Sequence, residues 1–181
     1  MIGANDHPQP IACHMRTDEI APTLARLFSE LADGVPSGGG GFVLNSGDRG
    51  LLKSLEQLSA ADASRSAHQG ASIAAHTQHV RYGLSLMNAW AEHGGNPFAD
   101  AQWDEAWQVR EVSEAQWNEI RHGLGDEAMR WTVVLQTPRE SRGIELAGMI
   151  SSIAHLAYHL GAMRQIDKAM RGPTEGTFLP T

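Results

Sequence analysis

Ser151-Ser152-Ile153-Ala154-His155-Leu156-Ala157-Tyr158-His159-Leu160-Gly161-Ala162-Met163 is the stretch whose reading decides the fold. It lies inside an apolar-periodic run from about Ile144 to Met170. Leu146, Met149, Ile153, Leu156, Leu160 and Met163 fall at intervals of 3, 4, 3, 4 and 3. That pattern is the seam of a helix packed among other helices. His155 and His159 stand four residues apart, which stacks their imidazoles one turn apart on one face. By a wheel of about 100° per residue they lie to one side of the seam. Gly148, Ser152 and Ala162 share that flank and are small. Two imidazoles beside small residues leave room for an occupant, and a divalent metal is the natural one. The plain alternative is one hydrogen-bonded core histidine and one half-exposed histidine, and the pair alone does not decide between them.

An earlier stretch carries a matching feature. From Ile73 to Ala91 the seam is Ile73, Thr77, Val80, Leu84, Met87 and Ala91, at intervals of 4, 3, 4, 3 and 4. His79 precedes the seam residue Val80 as His155 precedes Leu156. Gly83 then stands where His159 stands on the other helix. One helix thus offers an imidazole and a gap opposite the pair on the other. His76 lies near the same face and is the rival ligand.

The rest of the chain supplies two more long helices. The first starts between Asp18 and Pro22, with Leu24, Leu27, Phe28 and Leu31 inward and Gly34 as its stop. Pro36-Ser37-Gly38-Gly39-Gly40-Gly41 follows; no Lys-Ser/Thr stands at phosphate-loop spacing, so the run reads as a flexible connection. Asp48 is expected to cap a short helix with Leu51, Leu55 and Leu58 inward, and Ser59-x-x-Asp62 to form a local cap. The second long helix is expected over about Gln69 to His93, ended by Gly94-Gly95-Asn96-Pro97. Trp103 and Trp107, at i,i+4 in the longest connection, cover the bundle or wall a pocket. Ser113 and Gln116 make a capping box for the third long helix, with Val112 as a staple to Trp117. Its inward residues are Trp117, Ile120, Leu124, Trp131 and Leu135, with Gly123 and Gly125 weakening its middle. Pro138 separates it from the fourth, for which Thr137 to Glu140 or Ser141 is the expected cap and Arg171-Gly172-Pro173 the stop. No β-hairpin signal is present.

Ser72-Ile73 followed by His79-Val80, the late His155-x-x-x-His159-x-Gly161, and Trp103, Trp107 and Trp117 together resemble the DinB-like (YfiT-like) family of metal-binding four-helix bundles. The resemblance covers roughly residues 17 to 171. It implies an all-α four-helix bundle with crossover connections and a short additional helix between helices 1 and 2. It also implies a divalent metal held by His79, His155 and His159. Many members carry Gln after the glycine, where this chain has Ala162. Relatives of this kind include hydrolases and transferases of low-molecular-weight thiols. The resemblance therefore implies a metal-dependent thiol transferase or hydrolase acting on a small molecule, the alternative being a non-catalytic helical metal-binding or stress-response module.

Chemistry and composition narrow this further. Three neutral imidazoles suit Zn or Ni, and also Fe or Mn. A three-ligand site keeps positions open for water or substrate. Leu156 rather than Glu follows His155, which argues against a zincin-type protease. Tyr158 is expected to point away from the pair. Arg164 and Gln165 read as a solvated helix face, or as contacts for an anionic substrate. His68, His93 and His122 read as surface residues. No general base is identifiable. The chain has 181 residues, a net charge of −7 and a pI of about 5.7. That is one domain with a sizeable core and no basic face for nucleic acid. No 18-residue apolar run and no signal-peptide pattern is present, so neither a membrane span nor secretion is expected. The lone Cys13 excludes an internal disulfide and suits a reducing cytoplasm. The expected organisation is a flexible leader at 1–16, the bundle at 17–171 and a tail at 172–181. Five tryptophans leave apolar surface for a homodimer contact.

Overall fold

A computed structural model describes residues 14–67 and 69–173. The elements run β1 (His14–Arg16), α1 (Ala21–Asp33), α2 (Gly50–Leu55), α3 (Ala60–Ala63), α4 (Ile73–His93), α5 (Trp103–Trp107), α6 (Glu114–Gln136), β2 (Glu140–Arg142) and α7 (Gly143–Ile166), then a 3-10 turn at Lys168–Met170. The described residues are mostly helical. α4 packs on α6 and α7, and α1 packs on the same two helices. No helix among the described residues is long and apolar enough to cross a membrane.

The seams face inward as their spacing requires. On α7, Met149, Leu156, Leu160 and Met163 are buried, with Leu146 and Ile153 partly so. On α4, Ile73, Thr77, Val80, Leu84 and Met87 are buried. α6 buries Trp117, Ile120, Leu124, Trp131 and Leu135, and its indoles donate to Leu58 O (2.9 Å) and Ser152 Oγ (2.8 Å). On α1, Leu24, Phe28 and Leu31 are buried, but Leu27 is only half-buried and Ala25 takes the inner place. The Ser113–Gln116 and Ser59–Asp62 capping boxes both form. α4 begins at Ile73 rather than near Gln69, because Ser72 is its N-cap and accepts from Ala75 N at 3.1 Å.

Several expectations give way to specific contacts. The glycine run is ordered by Glu30, a buried carboxylate that accepts the backbone N–H groups of Phe42, Val43 and Leu44. Burial alone would raise the Glu30 pKa, but these three donors hold it below its ordinary value. Gly41 must lack a Cβ here, since one would lie 2.2 Å from Leu44 O. Asp48 does not cap α2 directly, since Arg49 holds the N-cap position; its carboxylate accepts from Gly50 N at 2.9 Å. Residues 14–16, expected in the leader, pair antiparallel with β2, which occupies the expected cap of the last helix. Thr17 locks that turn: its Oγ1 accepts from Arg139 N at 2.9 Å and donates to Arg139 O at 3.1 Å. α7 is therefore capped by Arg142 and Glu145, not by Thr137 to Glu140 or by Ser141, whose side chain is fully buried. α7 also stops at Ile166, short of Arg171, because Asp167 turns the chain to bind Arg65 at 2.7 Å and to accept from Ala169 N. Cys13, His68 and the tail from residue 174 lie outside the described residues.

Arg164 is neither a solvated residue nor one facing the histidines. It pairs at 2.7 Å with Asp48, whose side chain is 3% exposed. Removing one member of a buried pair strands the other charge. Arg164→Met is therefore expected to cost about 3 kcal/mol in urea unfolding. The double variant with Asp48→Asn should recover most of that, because Asn can still accept from Gly50 N.

Candidate metal centre

α4 and α7 bring three histidines together. The donor atoms of His79, His155 and His159 all lie within 4.8 Å of one another. His155 Nε2 is 3.1 Å from His79 Nε2 and 2.9 Å from His159 Nε2. With metal–nitrogen bonds of about 2.05 Å, two ligands in a tetrahedral site stand about 3.3 Å apart and two at a right angle about 2.9 Å apart. The observed separations fall on or between these values. Burial alone fits the plain reading of the α7 pair, since His159 is 1% exposed and His155 half-buried. What exceeds that reading is the third imidazole on α4 and the convergence of the same ring atom, Nε2, from all three.

The rings are built to stay neutral. Burial, then repulsion from the His155 and His76 rings, lowers the His79 pKa to about 4. The same causes in the same order, with His79 added, lower His159 to about 3. Burial also lowers His155 and His76. Neutral imidazoles whose Nε2 atoms face one another are suited to bind a cation when their ring protons sit on Nδ1.

His76, the rival ligand, has a different place. Its Nδ1 is 2.8 Å from Nδ1 of His159, the nitrogen remote from the cluster. If the three Nε2 atoms bind an ion, His159 carries its proton on Nδ1 and donates it to His76. This is the outer-sphere hydrogen bond that fixes a ligand's tautomer and ring plane. The Nδ1 of His79 is buried without a hydrogen-bond partner among the described residues.

α5 roofs the cluster. The Trp107 ring stacks on His79 at 4.2 Å and 23°, and its edge meets His76 at 5.3 Å. Trp103 lies 5.3 Å from His79. Three hydrogen bonds hold this segment down: Gln102 N to Tyr82 Oη (2.8 Å), Ser72 Oγ to Val109 O (3.0 Å) and Val112 N to Ser64 Oγ (3.1 Å). Ser72 thus starts the helix that carries His79 and also ties down the tryptophan segment. Tyr158 is exposed, as expected, but its ring still meets His159 edge-on at 5.0 Å. His93 and His122 are exposed.

Among the described residues no carboxylate or thiol joins the three imidazoles. A cavity of about 270 Å³ opens beside His155. Ser152, on its wall, is engaged on both sides, accepting from Trp131 and donating to Met149 O at 2.7 Å. It is therefore not an activated nucleophile. The donor set fits a divalent ion with open positions rather than a closed structural site. In comparisons with known proteins, no family model, no curated protein and no solved structure matches the chain.

Proposed function

We propose that this chain is a DinB-like four-helix bundle that binds one divalent ion through His79, His155 and His159, and that it is an enzyme transferring a small-molecule thiol to an electrophile. The observation that carries the reading is the convergence of three neutral Nε2 atoms next to an open cavity. A divalent ion so held supplies Lewis acidity and lowers the pKa of a coordinated thiol or water. Zn and Ni suit the donors best, with Fe and Mn as further candidates.

The cavity walls favour thiol transfer over hydrolysis. Its lining carries no carboxylate and no lysine. Amide hydrolysis needs a group to protonate the leaving amine, and the lining offers none beyond the ligand His155 itself. A free thiol already has a pKa of about 8.5, so its proton can pass to solvent without a positioned base. The thiol sulfur then forms the new C–S bond while the electrophile's leaving group departs with its electron pair. Trp103 and Trp107 exclude water from one side, and His76 fixes the His159 ring. Ala162 offers no side-chain donor where relatives of this kind have Gln.

The test is to load the protein with Zn and Ni in turn and screen low-molecular-weight thiols with small electrophiles, beside small amides and esters. Metal-dependent thiol consumption that disappears in His159→Ala is expected. Hydrolysis without thiol would move the reading to a hydrolase. A metal-loaded protein inactive in both screens would leave the non-catalytic binding module.

A further inference from the structure

We propose that the cavity beside His155 receives an uncharged, apolar body of the substrate, an aliphatic chain or ring carried by the electrophile rather than by the polar thiol. The inference rests on the three-histidine reading and adds the substrate class to it. Val80, Gly83, Leu84, Phe98, Trp103 and Leu156 supply most of the wall. No charged residue lines it. An ammonium placed there, or a carboxylate placed there out of reach of the ion, would lose its water and gain no partner, a penalty that disfavours a charged body. Of the polar groups on the wall, Ser152 is already satisfied and Ser151 lies at the exposed rim.

Two further features give the cavity a shape. Phe98 stacks flat on Trp103 with an interplanar angle of 9°, making one aromatic wall. Gly83 forms the floor, where an added Cβ would meet His155 at 3.8 Å and Trp103 at 3.9 Å. At about 30 Å³ for each water-sized group, 270 Å³ holds about nine non-hydrogen atoms. A second cavity of about 520 Å³ shares Met87, Phe98, Gly148 and Ser151 with the first, so a longer chain can continue between α4 and α7. The charged residues of that outer cavity, Arg142 and Glu145, pair with each other at 2.7 Å.

The probes are 1-butanol to 1-octanol, with octanoate and octylammonium as charged counterparts, titrated into metal-loaded and metal-free protein. Affinity for the alcohols should rise two- to fourfold with each methylene. In the metal-free protein both charged probes should bind at least tenfold more weakly than 1-octanol. With ¹³C-methyl methionine, the Met87 signal should shift on octanol binding and that of Met129, an exposed residue outside both cavities, should not. Gly148→Leu should lower octanol affinity at least tenfold, whereas Gly148→Ala, whose Cβ sits 3.5 Å from Met87 Cε, should largely keep it. Octanoate binding the metal-free protein as tightly as octanol, an unmoved Met87 signal, or no chain-length dependence would overturn the proposal. A metal-loaded protein that ignores octanol refutes this inference alone. A protein that takes no metal yet binds octanol refutes the metal reading instead.

Discussion

Zinc is expected to raise the unfolding free energy of the wild-type protein by about 4 kcal/mol when free metal exceeds Kd about a thousandfold. In His159→Ala the same addition should leave stability unchanged. The gain follows from linkage, because the three imidazoles converge only in the folded chain. The unfolded chain keeps His79 and His155 76 residues apart in sequence. The folded protein holds their Nε2 atoms 3.1 Å apart, already desolvated and neutral. Of the three clustered histidines, His159 is the one whose loss is expected to reach furthest. It is fully buried, lies 2.9 Å from His155 Nε2, and is fixed from behind by His76. Comparing each protein with and without zinc removes the variant's own packing cost. Denaturant unfolding at fixed free metal reads the difference directly.

Acid should destabilise the metal-free protein well above the carboxylate range. His79 and His159 titrate at about 4 and about 3 in the fold, while the unfolded chain takes up their protons near the ordinary value of 6.5. As pH falls below 6.5 the unfolded state binds protons that the folded state refuses, so stability drops. The slope reaches about 1.4 kcal/mol per pH unit for each such histidine. The two together remove on the order of 5 kcal/mol by pH 4.5, comparable to the whole stability of many domains. Glu30 acts lower. Its pKa is depressed, so its contribution is lost only as pH falls through the carboxylate range. Urea titrations of chelated protein between pH 7.5 and 4.5 check the expectation. A stability flat over that interval would contradict a neutral buried cluster.

The long helices were legible because seam spacing reports burial directly. Each seam residue of α4 and α7 is buried or partly buried as its interval requires. The cluster of three histidines was legible for the same reason, because a histidine one position before a seam residue on each helix places the rings between the helices. Contacts between segments distant in sequence were not legible. Pairing of β1 with β2 joins residues more than 120 apart, through three-residue strands too short to show alternation. Glu30 and Arg164 look like ordinary surface charges on a helix, and only the loops folded over them make them buried partners. His76 is three residues before His79, so the wheel places it near the same face. Only the folded geometry shows that it meets the far nitrogen of His159. The tryptophans could cover either the bundle or a pocket; the hydrogen bonds accepted by Tyr82 and Ser64 and donated by Ser72 settle them against the histidines.

The proposed assignment makes His79, His155 and His159 the ligands and His76 their support. Metal content and affinity, measured by elemental analysis and competitive chelator titration on wild type, His76→Ala, His79→Ala, His155→Ala and His159→Ala, test it most directly. One ion per wild-type chain is expected, and none in His79→Ala, His155→Ala or His159→Ala. One ion is expected in His76→Ala at saturating metal, bound about 10- to 100-fold more weakly, roughly the loss seen when an outer-sphere partner is removed. An empty His76→Ala beside a fully loaded His79→Ala would contradict this assignment.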